Sequence, residues 1–344
     1  MLGISSYFQD FDADYLKCAA ACGAKIVFTS MQMPEQDYSK VREDLACLVE
    51  TCRVSGLSLV PDVSPATLDL LDVPQGGYER LAAMGFDTIR LDYGFNDFKL
   101  VKELQETFAL VLNASTASDA YLEEAEAAGI DLSRITLMHN FYPHTDSGLA
   151  FDSFARKNAR FHERGLRVQA FIPGDVIRRF PLYEGLPTVE RHRGANPYVA
   201  AVELVKRAHV DDVIVGDSQA SDRVLRSIAD YMDNGCLALH CHFRGGYENL
   251  WGTETRCRKD ESEAVVRLLL PRHGGVEPAH VLDRLRGSIV MDNKLAARYS
   301  GEVSLMRRDL AVSPRANVIG FIDPSEVALL DYIDANDTVV FERL

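Results

Sequence analysis

Three aspartates stand at the ends of predicted β-strands, namely Asp62, Asp92 and Asp217. If those strands run parallel around one barrel, the three carboxylates face the same cavity. Such crowding favours protonation of one group, which is the state that acid–base catalysis uses. Taken singly, Asp62 before SPATLDLL and Asp217 before SQASDRVL could instead cap the following helix. The set therefore predicts acid–base chemistry more strongly than any one member does.

Amide, imidazole and phenol groups are predicted at the same end of the barrel. They are Tyr7, Asn113, His139, Asn140 and Tyr142. A sugar needs many short hydrogen bonds and packs its ring faces on aromatic side chains, so this mixture favours a carbohydrate ligand. The alternative is a metal site, although no HExxH or CxxC spacing accompanies it. Its ligands would be Asp62, Asp92, His139 and Asp217.

A long loop, residues 173–197, follows the seventh predicted strand with the sequence PGDVIRRFPLYEGLPTVERHRGANP. Loops of this length inside a compact domain are usually functional. This one carries Glu184 and Glu190 among the cations Arg178, Arg179, Arg191, His192 and Arg193. Arginines bind phosphate or carboxylate through paired hydrogen bonds, so the loop predicts an anion site. A solvated loop held by surface ion pairs is the alternative.

Eight β-branched runs alternate with amphipathic helical stretches over residues 1–235. The runs begin at Leu2, Ala24, Leu57, Thr88, Phe108, Ile135, Arg167 and Val210. Eight strand–helix units in this length predict an α/β fold, a (β/α)₈ TIM barrel. A doubly wound sheet is less consistent, because no glycine-rich dinucleotide fingerprint follows the first run and no P-loop occurs.

After Gly235 the pattern changes to strands without long helices between them. These strands lie in LALHCHF, GSIVMDN, ARYSGEVSLMRRDL, NVIGFID and DTVVFERL, and PSEVALLDYI predicts one short helix. We therefore expect a catalytic barrel domain over 1–235 and a smaller β-rich domain over 236–344.

The charge balance excludes some classes of partner. The 344 residues carry a formal net charge of −14, which opposes binding to nucleic acid or to an anionic membrane surface. The start of the chain lacks a charged segment followed by an apolar one, and no stretch is apolar enough to span a bilayer. Seven scattered cysteines fit a reducing compartment, so we expect a cytoplasmic protein.

Several motifs resemble those of bacterial cytoplasmic 6-phospho-N-acetylmuramidases. They are GISSYF, HNFYP, FIPG before PLYEGLPTVERHR, GSIVMDN, RYSGEVSLMRRDL and NVIGFID. The resemblance implies a TIM barrel followed by a cyclophilin-like β-barrel domain. It also implies hydrolysis of the β-1,4 bond in 6-phospho-N-acetylmuramyl-N-acetylglucosamine during cell-wall (peptidoglycan) recycling. The partner would then be a small phosphorylated amino sugar, with neither cofactor nor catalytic metal.

One stretch departs from the family pattern. Where relatives tend to carry Asn-Arg-x-Asp leading into Val-Ile-Arg-Ser, this chain reads CRKDESEAVVRLLLPR from Cys257. Arg258, Asp260 and Arg267 match the pattern, whereas Cys257 and Leu268 replace its Asn and Ser. If this region helps to close the site, the departure bears on which sugar is preferred.

These observations predict glycoside hydrolysis by a carboxylate pair, drawn from Asp62, Glu184 and Asp217, with Asp92 next. Glu184 suits the acid, since burial of a loop glutamate under the sugar would raise its pKa. Side chains predicted to bind the substrate are Tyr7, Asp92, Asn113, His139, Asn140 and Tyr142, and those predicted for its anionic groups are His192, Arg193, Arg258 and Arg267. A metal-dependent sugar-phosphate epimerase or isomerase is one alternative, and a non-catalytic sugar-phosphate binder is another.

Overall fold

The computed structural model describes residues 1–31 and 40–344. They form two compact units, Met1–Ala229 and Asp230–Leu344. The first unit is a closed barrel of eight parallel strands in chain order. Its strands are β1 (Leu2–Ser5), β2 (Ile26–Ser30), β3 (Ser58–Val63), β4 (Thr88–Leu91), β5 (Ala109–Asn113), β6 (Ile135–Met138), β7 (Arg167–Ile172) and β8 (Asp212–Val215). β8 pairs with β1, Ile214 lying beside Gly3, so the predicted (β/α)₈ barrel is confirmed.

Helices alternate with the strands. They are α1 (Ala13–Ala21), α2 (Val41–Ser55), α3 (Pro65–Leu70), α4 (Glu79–Ala83), α5 (Phe98–Thr107), α6 (Asp119–Ala127), α7 (Phe151–Glu163), α8 (Pro197–Ala208) and α9 (Asp222–Asn234). Local sequence sets their ends: Asn196 caps α8 by accepting hydrogen bonds from two backbone N–H groups, and Gly56 ends α2 at a φ of 67°. No helix in the described ranges is long and apolar enough to cross a bilayer.

Apolar side chains fill the barrel interior. The buried cluster comprises Tyr7, Ile26, Phe28, Val60, Val111, Met138, Phe171, Phe180, Leu186 and Ile214. Most are contributed by strands, whereas Phe180 and Leu186 come from the loop between β7 and α8. That loop therefore packs into the C-terminal end of the barrel, where active sites of this fold form.

The second unit is built around a seven-stranded mixed sheet in the order β10-β15-β9-β14-β12-β13-β11. The strands are β9 (Cys236–Phe243), β10 (Glu254–Arg256), β11 (Val265–Arg267), β12 (Ser288–Asp292), β13 (Val303–Met306), β14 (Ala316–Ile322) and β15 (Thr338–Arg343). Only β15 and β9 pair in parallel. The expected β-rich character of this region is confirmed, and the two three-residue strands β10 and β11 were not predicted. The predicted short helix is present as a 3-10 turn over Val327–Asp331.

Candidate active site

At the C-terminal end of the barrel, the inward-pointing apolar side chains of several strands are followed by inward-pointing polar ones. Side chains two positions apart on a strand point to the same face, so Asp62 follows Val60 toward the interior. The same spacing places Asn113 and Asn140 after inward residues of β5 and β6. Asp62 is not a helix cap, because Ser64 is the residue that precedes α3 and its backbone N–H donates to the hydroxyl of Thr67 at 3.0 Å. The strand-end carboxylate therefore points toward the barrel interior.

Arg90 of β4 is the centre of this polar cluster and is only 3% exposed. Its Nη1 lies 2.6 Å from Oδ1 of Asp62 and 3.6 Å from Oδ1 of Asp92. Its Nη2 donates to the side-chain oxygen of Asn140. Because both carboxylate distances share Nη1, the two oxygens are at most the sum of those distances apart, about 6 Å. Arg90 thus brings two carboxylates and an amide together.

Asp92 and Asn113 border a cavity of about 480 Å³ above β4 and β5. Asn113 Nδ2 lies 3.5 Å from Oδ1 of Asp92, while its Oδ1 accepts a 3.0 Å hydrogen bond from the backbone N–H of Ser115. The Asp92 side chain is 27% exposed. The volume is within the range of pockets that hold small molecules.

His139 is linked to Asn140 of this cluster through the hydroxyl of Ser115. It is fully buried, its Nε2 is 2.7 Å from Oδ1 of Asn158, and its Nδ1 is 3.3 Å from the hydroxyl of Ser115. The Asn158 amide nitrogen donates to the carbonyl of Ala208, so its oxygen faces His139 and accepts from Nε2–H. The Ser115 hydroxyl accepts from the backbone N–H of Asn140 at 2.9 Å. Burial lowers the pKa of His139 to about 3, which keeps the ring neutral. The structure thus places His139 outside the cavity, as a support for Asn140.

An ion pair within the loop between β7 and α8, Glu190 with Arg193, also contacts the loop after β6. The Arg193 guanidinium bonds both oxygens of Glu190 at 2.6 and 2.8 Å, and it also donates to the carbonyls of Gly185 and Tyr142. Glu190 accepts two further backbone N–H bonds, from Asp146 and from Gly148. These contacts, Arg193 first, lower the pKa of Glu190 to about 2. Arg193, predicted to bind an anion, already donates four hydrogen bonds to protein acceptors.

His192 also turns away from the cavity. It is 2% exposed, and its Nε2 lies 2.7 Å from Oε2 of Glu203 on α8. The same carboxylate pairs with Arg191, whose guanidinium lies over the ring of Phe151. His192 and Arg191 therefore hold the loop against α8, and the structure gives His192 an anchoring place instead of a ligand-facing one.

Asp217 binds three backbone N–H groups of the same loop. Its Oδ2 accepts from Gly174 at 2.8 Å and from Leu186 at 3.3 Å, and its Oδ1 accepts from Arg179 at 3.0 Å. The residue is fully buried, and burial raises the pKa of its carboxyl group, an effect partly opposed by those N–H donors. It does not cap α9, which begins at Asp222. Both oxygens of Asp217, a residue expected to be catalytic, are bonded to the loop backbone.

Glu184 is at the outer part of the loop. Its Oε2 accepts from both the backbone N–H and the hydroxyl of Thr145, each at 2.6 Å. These hydrogen bonds lower its pKa, the side-chain bond having the largest effect. The expected rise in pKa is therefore not found, because the carboxylate is bonded by donors and is not enclosed.

Arg179 stands apart from the other cations of the loop. It is 6% exposed, and its guanidinium carbon lies 5.2 Å from the ring centre of Tyr7, 5.6 Å from that of Phe141 and 5.4 Å from that of Phe180. Tyr7 itself is 1% exposed and donates its hydroxyl to the carbonyl of Gly216 at 2.6 Å. Tyr7, expected to contact the substrate, is thus a wall of the Arg179 site. Tyr142 is half-buried, and its backbone carbonyl accepts from Arg193.

The other two predicted anion ligands lie in the second unit. Arg258 and Arg267 both pair with Asp260, Nε of Arg258 at 2.9 Å and Nη2 of Arg267 at 2.5 Å. The two arginines lower the pKa of Asp260, Arg258 having the largest effect. They form a local ion-pair cluster at the edge strand β11.

The metal-site alternative is not favoured by this geometry. Asp62 is paired with Arg90, and His139 faces α7, so the expected ligands do not converge. Within residues 1–31 and 40–344, the group of His, Cys, Asp or Glu side chains close enough to share an ion is Cys18, Cys22 and Asp222, outside the barrel cavity.

Sequence reasoning did not select Arg90, and it named Arg179 only as one of five loop cations predicted to form an anion site. The signal for Arg90 was available, because it is two positions before Asp92 on one strand and the period of two puts both on one face. No local signal separates Arg179 from the other arginines of its loop, since the distinction depends on contacts between distant segments.

Two family models cover almost the whole chain. The model of the 6-phospho-N-acetylmuramidase N-terminal domain matches residues 2–230, and that of the C-terminal domain matches residues 246–342. The chain belongs to the 6-phospho-N-acetylmuramidase family. The family motifs recognised in the sequence are consistent with this result.

Two solved structures share the architecture at full length. A conserved Enterococcus faecalis protein of unknown function is 28% identical, with a TM-score of 0.86 over 100% of this chain and 96% of its own. An uncharacterised B. cereus protein is 27% identical, with a TM-score of 0.80 over 99% of this chain and 98% of its own. No curated protein sequence matches the chain significantly.

Proposed function

We propose that this member of the family is a glycosidase that hydrolyses the β-1,4 bond of 6-phospho-N-acetylmuramyl-N-acetylglucosamine in the cytoplasm, during cell-wall recycling. The observation that carries the proposal is the Asp62–Arg90–Asp92 cluster at the C-terminal end of a barrel that the family model matches over residues 2–230. Two carboxylates close together are what glycoside hydrolysis requires.

The spacing of the carboxylates supports retention of configuration. The Oδ1 atoms of Asp62 and Asp92 are at most about 6 Å apart, because both contact Nη1 of Arg90. Enzymes that retain configuration hold their carboxyl groups about 5 to 5.5 Å apart, whereas inversion needs about 6.5 to 9.5 Å to admit a water molecule. The short separation favours direct attack by a carboxylate on the anomeric carbon.

Arg90 distinguishes the two roles. Its Nη1 is 1.0 Å closer to Asp62 than to Asp92, at 2.6 against 3.6 Å, so the negative charge is better stabilised on Asp62. In the proposed first step, Asp62 attacks C1 and Asp92 gives its proton to the departing oxygen. In the second step, Asp92 takes a proton from water, and the hydroxide releases the sugar from Asp62.

Two amides border the reacting groups. The Asn140 oxygen accepts from Arg90, and the Asn113 oxygen accepts from the backbone of Ser115, so both amide groups are oriented by protein contacts. Their NH₂ groups can donate hydrogen bonds to sugar hydroxyls or to an acetamido carbonyl. Asp217 and Glu184 then hold the loop that covers this end of the barrel, instead of reacting with the sugar.

The decisive experiment offers purified protein the 6-phosphorylated and unphosphorylated disaccharides in parallel. We expect cleavage of the phosphorylated form, with the first product released in the configuration of the substrate, as read by NMR. Asp62→Asn and Asp92→Asn should each lower kcat by about 10²- to 10⁴-fold. Asp92→Asn should keep more activity on an aryl glycoside, whose leaving group needs no proton.

Asp87→Asn is the matched control, because Asp87 is exposed and precedes the opposite end of the same strand β4. It should retain wild-type turnover. Near-normal turnover in both Asp62→Asn and Asp92→Asn would refute the assignment of the pair. Binding of the phosphorylated disaccharide without any turnover by the wild type would instead support a non-catalytic sugar-phosphate binder.

A further inference from the structure

Arg179 is a buried cation without an anionic partner in the described part of the chain. It is 6% exposed, and its Nε is enclosed without a hydrogen-bond acceptor. The other arginines of the loop are either exposed or paired. Arg178 is exposed, whereas Arg191 is paired with Glu203 and Arg193 with Glu190. Buried guanidinium groups are normally paired, so an unpaired one at the mouth of a barrel indicates a missing partner.

The surroundings of Arg179 stabilise its charge only in part. Tyr7, Phe141 and Phe180 each present a ring 5.2 to 5.6 Å from the guanidinium carbon, which gives cation–π attraction. Aromatic rings accept few N–H bonds, so the donors of the guanidinium are left without acceptors. This arrangement leaves the hydrogen-bonding capacity of the guanidinium available to a ligand.

The group is also held in place before any ligand arrives. The backbone N–H of Arg179 donates to the buried carboxylate of Asp217 at 3.0 Å. The Tyr7 ring beneath it is fixed by the 2.6 Å bond from its hydroxyl to Gly216. Phe180, the next residue, is buried in the barrel core cluster. A pre-positioned donor set loses little conformational freedom when it binds, which favours affinity.

Arg179 and the proposed reacting residue Asp62 both lie close enough to the Tyr7 phenol for their charges to act on it. Tyr7 lies in the core cluster of the barrel interior, and the charges of Arg179, Asp217 and Asp62 all act on its phenol. Carboxylates predominate at this end of the barrel, so an anionic ligand would be repelled without a local cation. Arg90, the other buried arginine here, is already bonded to Asp62 and Asn140.

We propose that Arg179 is the specificity-determining receptor for an anionic group of the substrate, a phosphate monoester or a carboxylate bound through paired N–H···O bonds. This inference rests on the proposed function, since the phosphorylated muramyl disaccharide carries both kinds of anion. Arginine matches the planar geometry of carboxylate and phosphate oxygens, whereas lysine presents a point charge. Recognition of the anion would place the sugar ring relative to Asp62 and Asp92.

The first test measures binding without turnover. Inorganic phosphate and D-lactate are titrated separately into wild type, Arg179→Gln and Arg179→Lys by calorimetry. We expect one anion to bind the wild type, binding to be lost in Arg179→Gln, and Arg179→Lys to be intermediate. Arg178→Gln removes the same charge from the neighbouring exposed position and should bind like wild type.

The second test separates the two anions by kinetics. Arg179→Gln should lower kcat/KM for the phosphorylated muramyl disaccharide by about 10²- to 10³-fold, the effect of losing two charge-assisted hydrogen bonds. If Arg179 binds the phosphate, the variant should act almost equally on substrates with and without the 6-phosphate. If it binds the carboxylate, the variant should instead act almost equally on substrates with and without the lactyl group.

The outcomes separate failure of this inference from failure of the proposed function. Hydrolysis by the wild type with unchanged selectivity and anion binding in Arg179→Gln and Arg179→Lys would overturn the role of Arg179 while leaving the hydrolase proposal intact. Arg179-dependent anion binding in a protein that cleaves neither disaccharide would support the receptor and refute the hydrolase. If Arg179→Gln fails to fold, the comparison of Arg179→Lys with wild type decides the question.

Discussion

Substitution of Asp217 tests whether this residue reacts with the substrate or holds the loop between β7 and α8 in place. Its carboxylate accepts three backbone N–H bonds, from Gly174, Arg179 and Leu186. Asp217→Ala removes the acceptor for all three. Asp217→Asn keeps one oxygen, which can still accept from Gly174 and Leu186, but turns an NH₂ group toward the N–H of Arg179.

The expected loss of stability follows from those bonds. A buried donor left without its acceptor costs about 1–3 kcal/mol, so three such donors would cost about 3–9 kcal/mol. Burial raises the pKa of Asp217, so the ionised carboxylate carries a desolvation cost at neutral pH that its removal relieves. Water entering the vacated space offsets a further part. We therefore expect the lower end for Asp217→Ala, about 3 kcal/mol, and about 1–2 kcal/mol for Asp217→Asn.

Thermal unfolding followed by circular dichroism measures this directly. In a unit of this size, about 3 kcal/mol lowers Tm by about 6–12 °C. Limited proteolysis should show earlier cleavage in the loop between β7 and α8, and the variants should bind anions more weakly because Arg179 loses its backbone anchor. An Asp217→Ala protein that melts within about 2 °C of wild type, resists proteolysis and yet has no turnover would refute the holding role and make Asp217 a reacting group.

Two further predictions concern pH. The pKa of Glu190 is lowered to about 2, so its contacts with Arg193 stabilise the fold above its ordinary pKa and lose that effect as pH falls toward 2. In urea unfolding, Glu190→Gln should therefore be less stable than wild type at pH 7, by a smaller margin at pH 3, and should converge with it as the pH falls to 2 and below; an equal difference at pH 7 and pH 3 would contradict this. His139, with its pKa lowered to about 3, should remain neutral from pH 8 to pH 5, so its Nε2–H resonance should persist in NMR spectra across that range. Titration of the ring near its ordinary pKa would show that it is not enclosed with Asn158.

The barrel was predictable because its signal is local and repeated. Each strand is a short β-branched run followed by a helix whose ends are marked by caps such as Asn196 and by glycines such as Gly56. The second unit was predicted less completely. β10 and β11 have three residues each, too few to show a pattern of alternation.

Site residues could be placed from the sequence only where the alternation of side chains between the two faces of a single strand decides the direction in which they point. That rule places Asp62 and Asn140 in the cavity, and applied strictly it also turns His139, one position from Asn140, to the opposite face. It does not extend to loops. Arg179 and Arg193 are fourteen positions apart in one basic loop, yet Arg193 is bonded to Glu190 and to two carbonyl oxygens, whereas Arg179 is enclosed by aromatic rings. Such differences arise from tertiary contacts that a single sequence does not display.

The anchoring of the loop between β7 and α8 has a consequence for how this barrel could acquire new specificities. Asp217 accepts hydrogen bonds from backbone N–H groups of the loop, and Arg193 donates to the backbone carbonyls of Gly185 and Tyr142. Because these bonds are made to the backbone, they do not depend on which side chains the intervening loop residues carry. The loop also exposes Val176, Ile177, Leu182 and Tyr183. Those four positions can be randomised in a library while the backbone path stays fixed. Selection on such a library would change what the rim contacts and leave the carboxylates of Asp62 and Asp92 unchanged.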